Sequence, residues 1–202
     1  MFTGIIEKTG IIKEVNSNGT NTSFWVESSL APELKVDQSL SHNGICLTVE
    51  EIKNGRHRVT AIEETILKTN ISNWKNESII NLERCMQLNG RLDGHIVQGH
   101  VDCTAECINL VEKEGSWEFT FAFPEKFAAL VIEKGSVCVN GISLTAFNVS
   151  NSCFTVAIVP YTYNNTNIKK VVLNSLINVE WDLLGKYIVR QSELSLLRQP
   201  VF

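Results

Sequence analysis

The sequence predicts a mainly β protein, built from two similar six-stranded antiparallel Greek-key barrels in tandem and followed by a C-terminal α-helix. Three observations lead to this prediction. The chain repeats itself internally, each copy consists of short apolar runs separated by turn signals, and the last residues have the spacing of an amphipathic helix.

The internal repeat is visible when the chain is compared with itself at the offset that places Asn43 on Asn140. At this offset three separated blocks coincide: 43–48 with 140–145, 69–71 with 166–168, and 78–83 with 175–180. At the N-terminal ends the offset is slightly shorter and places Thr3 on Gln98, which a loop of different length explains. Chance similarity would not keep one register through three blocks, so two related units are predicted.

Within each unit the apolar runs favour strands, because they alternate with polar residues and are rich in β-branched side chains. In the first unit the predicted strands are 4–15, 23–28, 45–52, 58–62 and 79–85. The Asn-Gly pairs at 43–44 and 140–141 suit tight turns, because both residue types tolerate positive φ. Five or six such strands close most economically into a small barrel, which leaves no exposed strand edge.

Short helical segments are predicted between the strands. Helical turns are expected after Thr65 and Thr162, at equivalent places in the two units. Residues 124–132 resemble another helix, opened by Pro124 at an early position.

The tail has a different pattern from both units. Its apolar residues form a helical stripe at Leu184, Ile188, Leu194 and Leu197. A helix of this length is marginal alone in water, so we expect it to dock, and we favour self-association over packing on its own barrel. The predicted division is a barrel at 1–86, a linker at 87–96, a barrel at 97–185 and an oligomerisation helix at 186–202.

Composition and charge exclude several classes of protein. The net charge is −4 and charged residues make up 20%, so we expect no nucleic-acid partner. Glu7 and Lys8 interrupt the first apolar residues, which argues against a signal peptide or a membrane span, and a cytoplasmic location is expected. The six cysteines lack zinc-ribbon spacing, and His95 and His100 would point to opposite faces of a strand, so no metal is expected.

Five sequence blocks now identify a family resemblance. They are MFTGIIE at 1–7, NGICLT at 43–48, GHIVQGHVD at 94–102, NGISLT at 140–145 and VPYT at 159–162. In this order, and over nearly the whole chain, they resemble the riboflavin synthases. The resemblance implies a transferase of riboflavin biosynthesis, without a cofactor, that converts two molecules of 6,7-dimethyl-8-ribityllumazine into riboflavin and 5-amino-6-ribitylaminouracil by transfer of a four-carbon unit.

The resemblance also implies an assembly. Members are typically homotrimers held by their C-terminal helices, with the active site between the N-terminal barrel of one subunit and the C-terminal barrel of its neighbour. Association with lumazine synthase is a further possibility by family analogy, although no residue of this sequence argues for it.

A lumazine is a flat heterocycle with a polar edge and a hydroxylated chain, so its site needs an apolar slot with a few hydrogen-bonding groups. The resemblance assigns this role to matching segments of the two repeats. In the first repeat these are Gly4, Ile5, Ile6, Cys46, Leu47, Thr48, Thr60, Ala61, Ile62, Glu63, Glu64 and Thr65. In the second they are Gly99, His100, Val101, Lys134, Ser143, Leu144, Thr145, Ala157, Ile158, Val159, Pro160, Tyr161 and Thr162.

Other interpretations of three of these residues stay open. Thr48 and Thr145 are also compatible with ordinary strand threonines that hydrogen-bond within their barrels. Lys134 is equally compatible with a solvated lysine in a loop. Thr48 and Thr145 nevertheless follow Cys46 and Ser143 by two residues, so each threonine lies on the same strand face as the small polar residue before it.

Differences between the repeats should assign the separate roles of the two substrate molecules. Three differences carry chemistry: His100 against Ile5, Ser143 against Cys46, and Asp182 against Cys85. The catalytic candidates are therefore His100, Ser143, Thr145, Asp182 and Cys46.

The reaction must remove a proton from the methyl group on carbon 7 of one lumazine and attack carbon 7 of the other. His100 is a reasonable proton shuttle, because histidine has the side-chain pKa nearest to neutrality. Ser143 and Asp182 could orient or activate the attacking group. Cys46 is interpreted first as a pocket residue, since a nucleophilic role requires a stabilised thiolate. His42 and His95 are interpreted as core or linker histidines.

The main alternative function is a non-catalytic lumazine- or flavin-binding protein of the antenna type. Such relatives tend to lose catalytic side chains in the second repeat, whereas this chain keeps His100, Ser143, Thr145 and Asp182. A flavin reductase would need a nicotinamide-binding half, and the sequence has no Gly-x-Gly-x-x-Gly signature. The sequence thus favours the enzyme.

Overall fold

A computed structural model describes residues 1–197, with side chains described up to residue 196. It contains two β units in tandem and a helix after them, so the predicted mainly β architecture is confirmed. None of the helices in this part of the chain has the length and apolar character needed to cross a membrane.

The first unit, called here the first barrel, is a single antiparallel sheet. Its strands are β1 (Lys8–Asn18), β2 (Asn21–Glu27), β3 (Ser39–His42), β4 (Ile45–Thr48), β5 (Glu51–Lys53), β6 (Arg56–Ala61) and β7 (Ile79–Arg84). Their order in the sheet is β4-β3-β7-β1-β2-β6-β5. The Glu50 N–H donates to the Arg58 carbonyl at 2.9 Å and joins the end of β4 to β6.

The second unit, called here the second barrel, is a closed six-stranded barrel. Its strands are β8 (Cys103–Lys113), β9 (Ser116–Ala122), β10 (Ser136–Val139), β11 (Ile142–Phe147), β12 (Cys153–Ile158) and β13 (Leu176–Trp181). The order around the barrel is β10-β11-β12-β9-β8-β13. Strands β9 to β12 form a Greek key, since β12 returns to pair with β9.

The strand count differs between the two units for a local reason. In the second barrel β11 pairs with β10 through Thr145 and then with β12 from Ala146 onward, without a break. In the first barrel the equivalent segment changes partners at Val49 and Glu50 and is divided into β4 and β5. The first barrel therefore has seven strands where six were predicted.

Helices occupy the turns between strands. They are α1 (Glu63–Lys68), α2 (Pro160–Asn165) and the tail helix α3 (Leu183–Leu197), with short 3-10 turns at Ala31–Glu33, Asn70–Asn73, Glu125–Leu130 and Asn167–Lys170. The helical turns predicted after Thr65 and Thr162 correspond to α1 and α2, which begin earlier, at Glu63 and Pro160, and contain these two threonines. The segment opened by Pro124 is a 3-10 helix. The tail helix begins at Leu183, before the predicted residue 186, and 198–202 of that prediction lie outside the described residues.

Each barrel has its own apolar core. Phe24 meets Trp74 edge-on at 5.4 Å in the first, while Phe123 and Phe154 surround Trp181 in the second. Fully burying a large apolar side chain contributes about 2–3 kcal/mol, so each barrel gains most of its stability internally.

The two barrels are joined by a symmetric network of buried asparagines. The Asn81 Nδ2 donates to the Asn140 carbonyl, and Asn178 Nδ2 donates to the Asn43 carbonyl, both at 2.9 Å. Asn81 Oδ1 accepts the Asn167 N–H, and Asn178 Oδ1 accepts that of Asn70, both at 2.7 Å. Repeat-equivalent residues thus make reciprocal bonds, which orient one barrel relative to the other.

One position breaks this symmetry. The Trp74 indole N–H donates to Asn70 Oδ1 at 3.2 Å, but Val171 occupies the equivalent place in the second barrel. The Asn167 Oδ1 is consequently buried without a partner among the described residues.

The tail helix is attached at its first turn and exposed beyond it. Lys186 Nζ lies 2.7 Å from Asp102 Oδ2, which also accepts the Trp181 N–H at 2.8 Å. Leu184, Tyr187 and Ile188 are 70%, 70% and 65% exposed, so α3 presents an apolar face that the described residues 1–197 do not cover.

Candidate active site

The opening segment of each repeat lies against the other barrel. The Ser143 N–H in β11 donates to the Gly4 carbonyl at 2.8 Å. The Cys46 N–H in β4 donates to the Gly99 carbonyl, also at 2.8 Å. Gly4 therefore borders the second barrel and Gly99 the first, an exchange that self-comparison of the sequence did not predict.

Two buried carboxylates hold the opening segments in place. Glu83 accepts the N–H groups of Thr3 and Gly4 at 2.6 and 3.0 Å. Its repeat equivalent, Glu180, accepts the N–H groups of residues 98, 99 and 100 at 2.6, 2.9 and 2.9 Å. Burial raises the pKa of both carboxyl groups above the ordinary value, although the N–H donors oppose this shift.

Only glycine fits at the two crossing points. Gly4 and Gly99 have φ of 77° and 81°, in the left-handed region. A Cβ on Gly4 would lie 2.6 Å from the Cβ of Ser143, and one on Gly99 would lie 2.6 Å from that of Cys46. The close approach brings the backbone of one repeat to the polar side chain of the other.

The second-barrel slot is a cleft of about 500 Å³ on the outside of the second barrel. Its lining residues are Lys134, Ser143, Leu144, Thr145, Phe147, Ala157, Val159 and Thr162. Ser143 and Thr145 lie on one face of β11, while Ala146 points into the core. Lys134 Nζ lies 5.0 Å from the centre of the Phe147 ring, which places a cation beside an apolar surface.

The first-barrel slot is a cleft of about 330 Å³ at the equivalent edge of the first barrel. Its lining residues are Ile45, Cys46, Glu64, Thr65, Lys68, Thr69, Gly99, His100 and Val101. Lys68 Nζ bonds Glu64 Oε1 at 2.8 Å, so these two charges neutralise each other.

The structure divides the predicted site residues between these two slots. His100 and Cys46 lie in the first-barrel slot, whereas Ser143 and Thr145 lie in the second-barrel slot. Each opening segment thus crosses to the other barrel. Ile6 packs against the core of the second barrel, and Val101 packs against the core of the first.

Other predicted site residues lie outside the lining of both slots. Leu47, Ala61 and Ile158 are buried in the barrel cores. Ile5 lines a separate cleft beside Arg84 and Asp93. The remaining residues outside both linings are Gly4, Ile6, Thr48, Thr60, Ile62, Glu63, Pro160, Tyr161 and the catalytic candidate Asp182.

His95 is a candidate site residue that the sequence analysis interpreted only as a core or linker histidine. It lies in the segment between β7 and β8, is 8% exposed, and its Nδ1 is 2.7 Å from Ser143 Oγ. Burial lowers the pKa of His95, and the carboxylate of Asp182 raises it in part. A hydroxyl bonded to a neutral imidazole, with a carboxylate nearby, is the arrangement that activates an oxygen nucleophile.

Asp182 has a structural contact of its own. Its Oδ1 accepts the Leu184 N–H at 2.9 Å, so it caps the beginning of α3. The same carboxylate thus connects the start of the tail helix electrostatically to His95.

The environment of Cys46 is apolar. It packs against the cluster of Phe2, Val97 and Cys138. Burial raises the pKa of the Cys138 thiol, and it raises the pKa of Cys103 to about 12, so these two cysteines stay protonated.

Comparison with known proteins gives the same two-part division. The lumazine binding domain model matches residues 3–85 and 98–182. Riboflavin synthase of Bacillus subtilis is 35% identical over 94% of this chain and 89% of that protein. Riboflavin synthase of Actinobacillus pleuropneumoniae is 34% identical over 99% of this chain and 92% of that protein.

Solved structures share the fold. The crystal structure of LumP complexed with riboflavin superposes with a TM-score of 0.84 at 21% identity, over 90% of this chain and 99% of that one. LumP complexed with 6,7-dimethyl-8-(1'-D-ribityl) lumazine gives a TM-score of 0.81. With a lumazine binding domain in each half and full-length relatives of this similarity, the chain belongs to the riboflavin synthase family.

Proposed function

We propose that this protein converts two molecules of 6,7-dimethyl-8-ribityllumazine into riboflavin and 5-amino-6-ribitylaminouracil. The observation that carries the proposal is the pair of slots at repeat-equivalent residues, with Cys46 and Thr65 in the first and Ser143 and Thr162 in the second. The backbone N–H of Cys46 and that of Ser143 each donate to the opening segment of the other repeat. Two like slots suit a reaction whose two substrates are identical. One molecule donates a four-carbon unit and the other accepts it, so the transfer needs no external cofactor.

The residues that line the slots suit the two halves of the reaction. His100 lies exposed at the first-barrel slot, where it can take a proton from the methyl group on carbon 7. Ser143 and Thr145 place two hydroxyl groups in the second-barrel slot, where they can hydrogen-bond the other molecule.

We also propose that the active site forms between subunits of a homotrimer. The apolar face of α3, which the described residues leave exposed, supports self-association, and the repeat-equivalent apolar side chains of Ile62 and Val159 are exposed as well. The first-barrel slot of one subunit would then face the second-barrel slot of its neighbour. Association with lumazine synthase stays a prediction from the resemblance, and a cytoplasmic location stays a prediction from the sequence.

The activity is tested by incubating the purified protein with the ribityl-lumazine alone and following riboflavin by its absorbance. Sustained formation of riboflavin is expected. Binding of the lumazine without formation of riboflavin would identify a non-catalytic lumazine-binding protein and reject the proposal.

The assembly is tested by mixing two variants. His100→Gln disables the first-barrel slot and Ser143→Ala the second, so each variant alone should lose activity. If sites form between subunits, mixed oligomers contain some sites with both slots intact, and activity should return on mixing. A mixture that stays inactive after subunit exchange would place both slots of a site in one chain.

Removal of the residues after Gly185 should also lower the sedimentation coefficient to that of a monomer.

A further inference from the structure

The two slots are equivalent in backbone but differ in what supports their small polar side chain. Ser143 Oγ is 2.7 Å from the imidazole Nδ1 of His95. Cys46, its repeat equivalent, packs against Phe2 and Cys138 instead. His95 belongs to the segment between the two matched repeats, so this segment makes one slot chemically different from the other.

The position of His95 is closely determined by its neighbours. Its N–H donates to the Thr3 carbonyl at 3.1 Å. The preceding residue, Gly94, is so close that a Cβ there would lie 2.0 Å from the Thr3 oxygen and 2.9 Å from the Ser143 Cβ. Only glycine permits this approach, which holds the imidazole beneath the serine hydroxyl.

We propose that His95, acting through Ser143, makes the second-barrel slot the one in which the lumazine is attacked at carbon 7. This inference rests on the proposed function and adds a role to each slot. Ser143 Oγ forms a bond to carbon 7, and its proton passes to Nδ1 of His95. The ring π electron pair displaced from carbon 7 moves into the pyrimidinedione part of the lumazine, which becomes an anion.

The protonation state of His95 suits this role. Nδ1 must be unprotonated to accept the serine proton, and burial favours the neutral imidazole by lowering its pKa. The carboxylate of Asp182 stabilises the imidazolium that forms after the transfer.

The second-barrel slot also holds a cation, because Lys134 lines it beside Phe147. The repeat equivalents of these two residues, Asp37 and Glu50, lie outside the lining of the first-barrel slot. A cation stabilises the negative charge that develops on the attacked ring. The first-barrel slot, with His100, is left to the molecule that loses its methyl proton.

The experiment uses the full chain with His95→Asn, His95→Ala, Ser143→Ala and the double variant His95→Ala/Ser143→Ala. Three quantities are measured: turnover to riboflavin, affinity for the ribityl-lumazine, and the rate at which the methyl protons on carbon 7 exchange with deuterium. The control is His42→Val/His57→Phe, which removes buried histidines elsewhere and introduces the residues of the other repeat. Its turnover at pH 7.5 should equal that of the wild type.

Each single variant should lower kcat about 100-fold, the usual contribution of a general base, and should change lumazine affinity less than two-fold. Methyl exchange should persist, because it belongs to the other slot. Asn can accept the serine hydrogen bond but not its proton, so His95→Asn tests proton transfer apart from positioning. In the double variant the loss should be no greater than for Ser143→Ala alone, because His95 acts through Ser143.

Retained turnover in His95→Asn, or a further large loss when His95→Ala is added to Ser143→Ala, would overturn the inference. Loss of methyl exchange together with turnover would do the same. If His95→Ala does not fold, His95→Asn and Ser143→Ala still decide the question. Failure of the wild type to form riboflavin would instead reject the proposed function.

Discussion

His42 Nε2 lies 2.8 Å from His57 Nε2 inside the first barrel, where the second barrel has Val139 and Phe154. The Nδ1 of His42 faces the Leu40 carbonyl at 3.0 Å and donates to it when protonated. His57 then donates through Nε2, which leaves its own Nδ1 without a partner among the described residues. Burial lowers the pKa of His57 to about 4 and that of His42 well below its ordinary value.

This pair should make the first barrel sensitive to acid. Between the ordinary pKa of 6.5 and the folded value of about 4 for His57, the unfolded chain binds a proton that the folded barrel excludes. The contribution of His57 to the free energy of unfolding is therefore complete above pH 6.5. It is lost as the pH drops toward 4, which lowers the free energy of unfolding by about 3 kcal/mol. Because the first barrel is less stable at pH 5 than at pH 7.5, its peptides should exchange amide hydrogens faster at pH 5. The rates are compared after correction for the pH dependence of intrinsic amide exchange.

Two comparisons isolate the cause of this acid sensitivity. The second barrel serves as an internal control, since Val139 and Phe154 do not titrate. His42→Val/His57→Phe should remove the excess exchange of the first barrel at pH 5. Equal acid sensitivity of the two barrels in the wild type would show that the histidine pair is not its source.

The two halves of the asparagine network should contribute equally to the stability of the protein. Asn81→Ala leaves the Asn140 carbonyl and the Asn167 N–H without their partners, and Asn178→Ala leaves the equivalent groups of the other barrel. Each buried unsatisfied group costs about 1–3 kcal/mol, so each variant should lower the free energy of unfolding by about 3 kcal/mol. Chemical denaturation measures this, with the exposed Asn76→Ala as the control.

A loss confined to one of the two variants would contradict the symmetric arrangement. A loss below about 0.5 kcal/mol in both would mean that water replaces the network at little cost.

The sequence predicted those features that depend on local patterns. The Asn-Gly turns at 43–44 and 140–141 have the positive φ expected of them, at 49° and 79° in the first and 46° and 82° in the second. Strand β3, whose residues Ser39–His42 alternate weakly, was not among the predicted runs. The predicted tail helix begins at residue 186, three residues after its observed start at Leu183, because Asp182 was interpreted only as a catalytic candidate and not as a helix cap.

The missed parts of the site depend on contacts between distant residues. Self-comparison aligns Gly4 with Gly99 but cannot show that each crosses to the opposite barrel. His95 and Ser143 are 48 residues apart, and no spacing rule connects a linker histidine with a strand serine. The available signal was the glycine immediately before His95, since Gly94 permits a close backbone approach.

The crossing predicts that the two buried glutamates act on the slots of opposite barrels. Glu180→Gln places an amide N–H₂ among the N–H donors of residues 98–100, so the Gly99 segment should loosen against the first barrel. Hydrogen exchange of the Cys46 amide, which donates to Gly99, should then accelerate while that of Ser143 stays slow. Glu83→Gln should reverse the pattern, because it releases Gly4.

Exchange of both amides to the same extent in each variant would indicate a general loss of stability. If hydrogen exchange of the Ser143 amide, and not that of the Cys46 amide, accelerated in Glu180→Gln, the crossing of the opening segments to opposite barrels would be contradicted.

Asp182→Asn separates the two roles of Asp182. Asparagine caps helices as well as aspartate does, so the bond to the Leu184 N–H and the start of α3 should persist. Loss of the negative charge removes the interaction that raises the pKa of His95, which makes the imidazole a weaker base. We expect kcat to fall about 10-fold, because a weaker base accepts the serine proton less readily, with lumazine affinity unchanged. Asp182→Ala should add a loss of about 1 kcal/mol in stability through the missing cap. Reduced affinity with normal turnover in Asp182→Asn would assign the carboxylate to substrate binding instead.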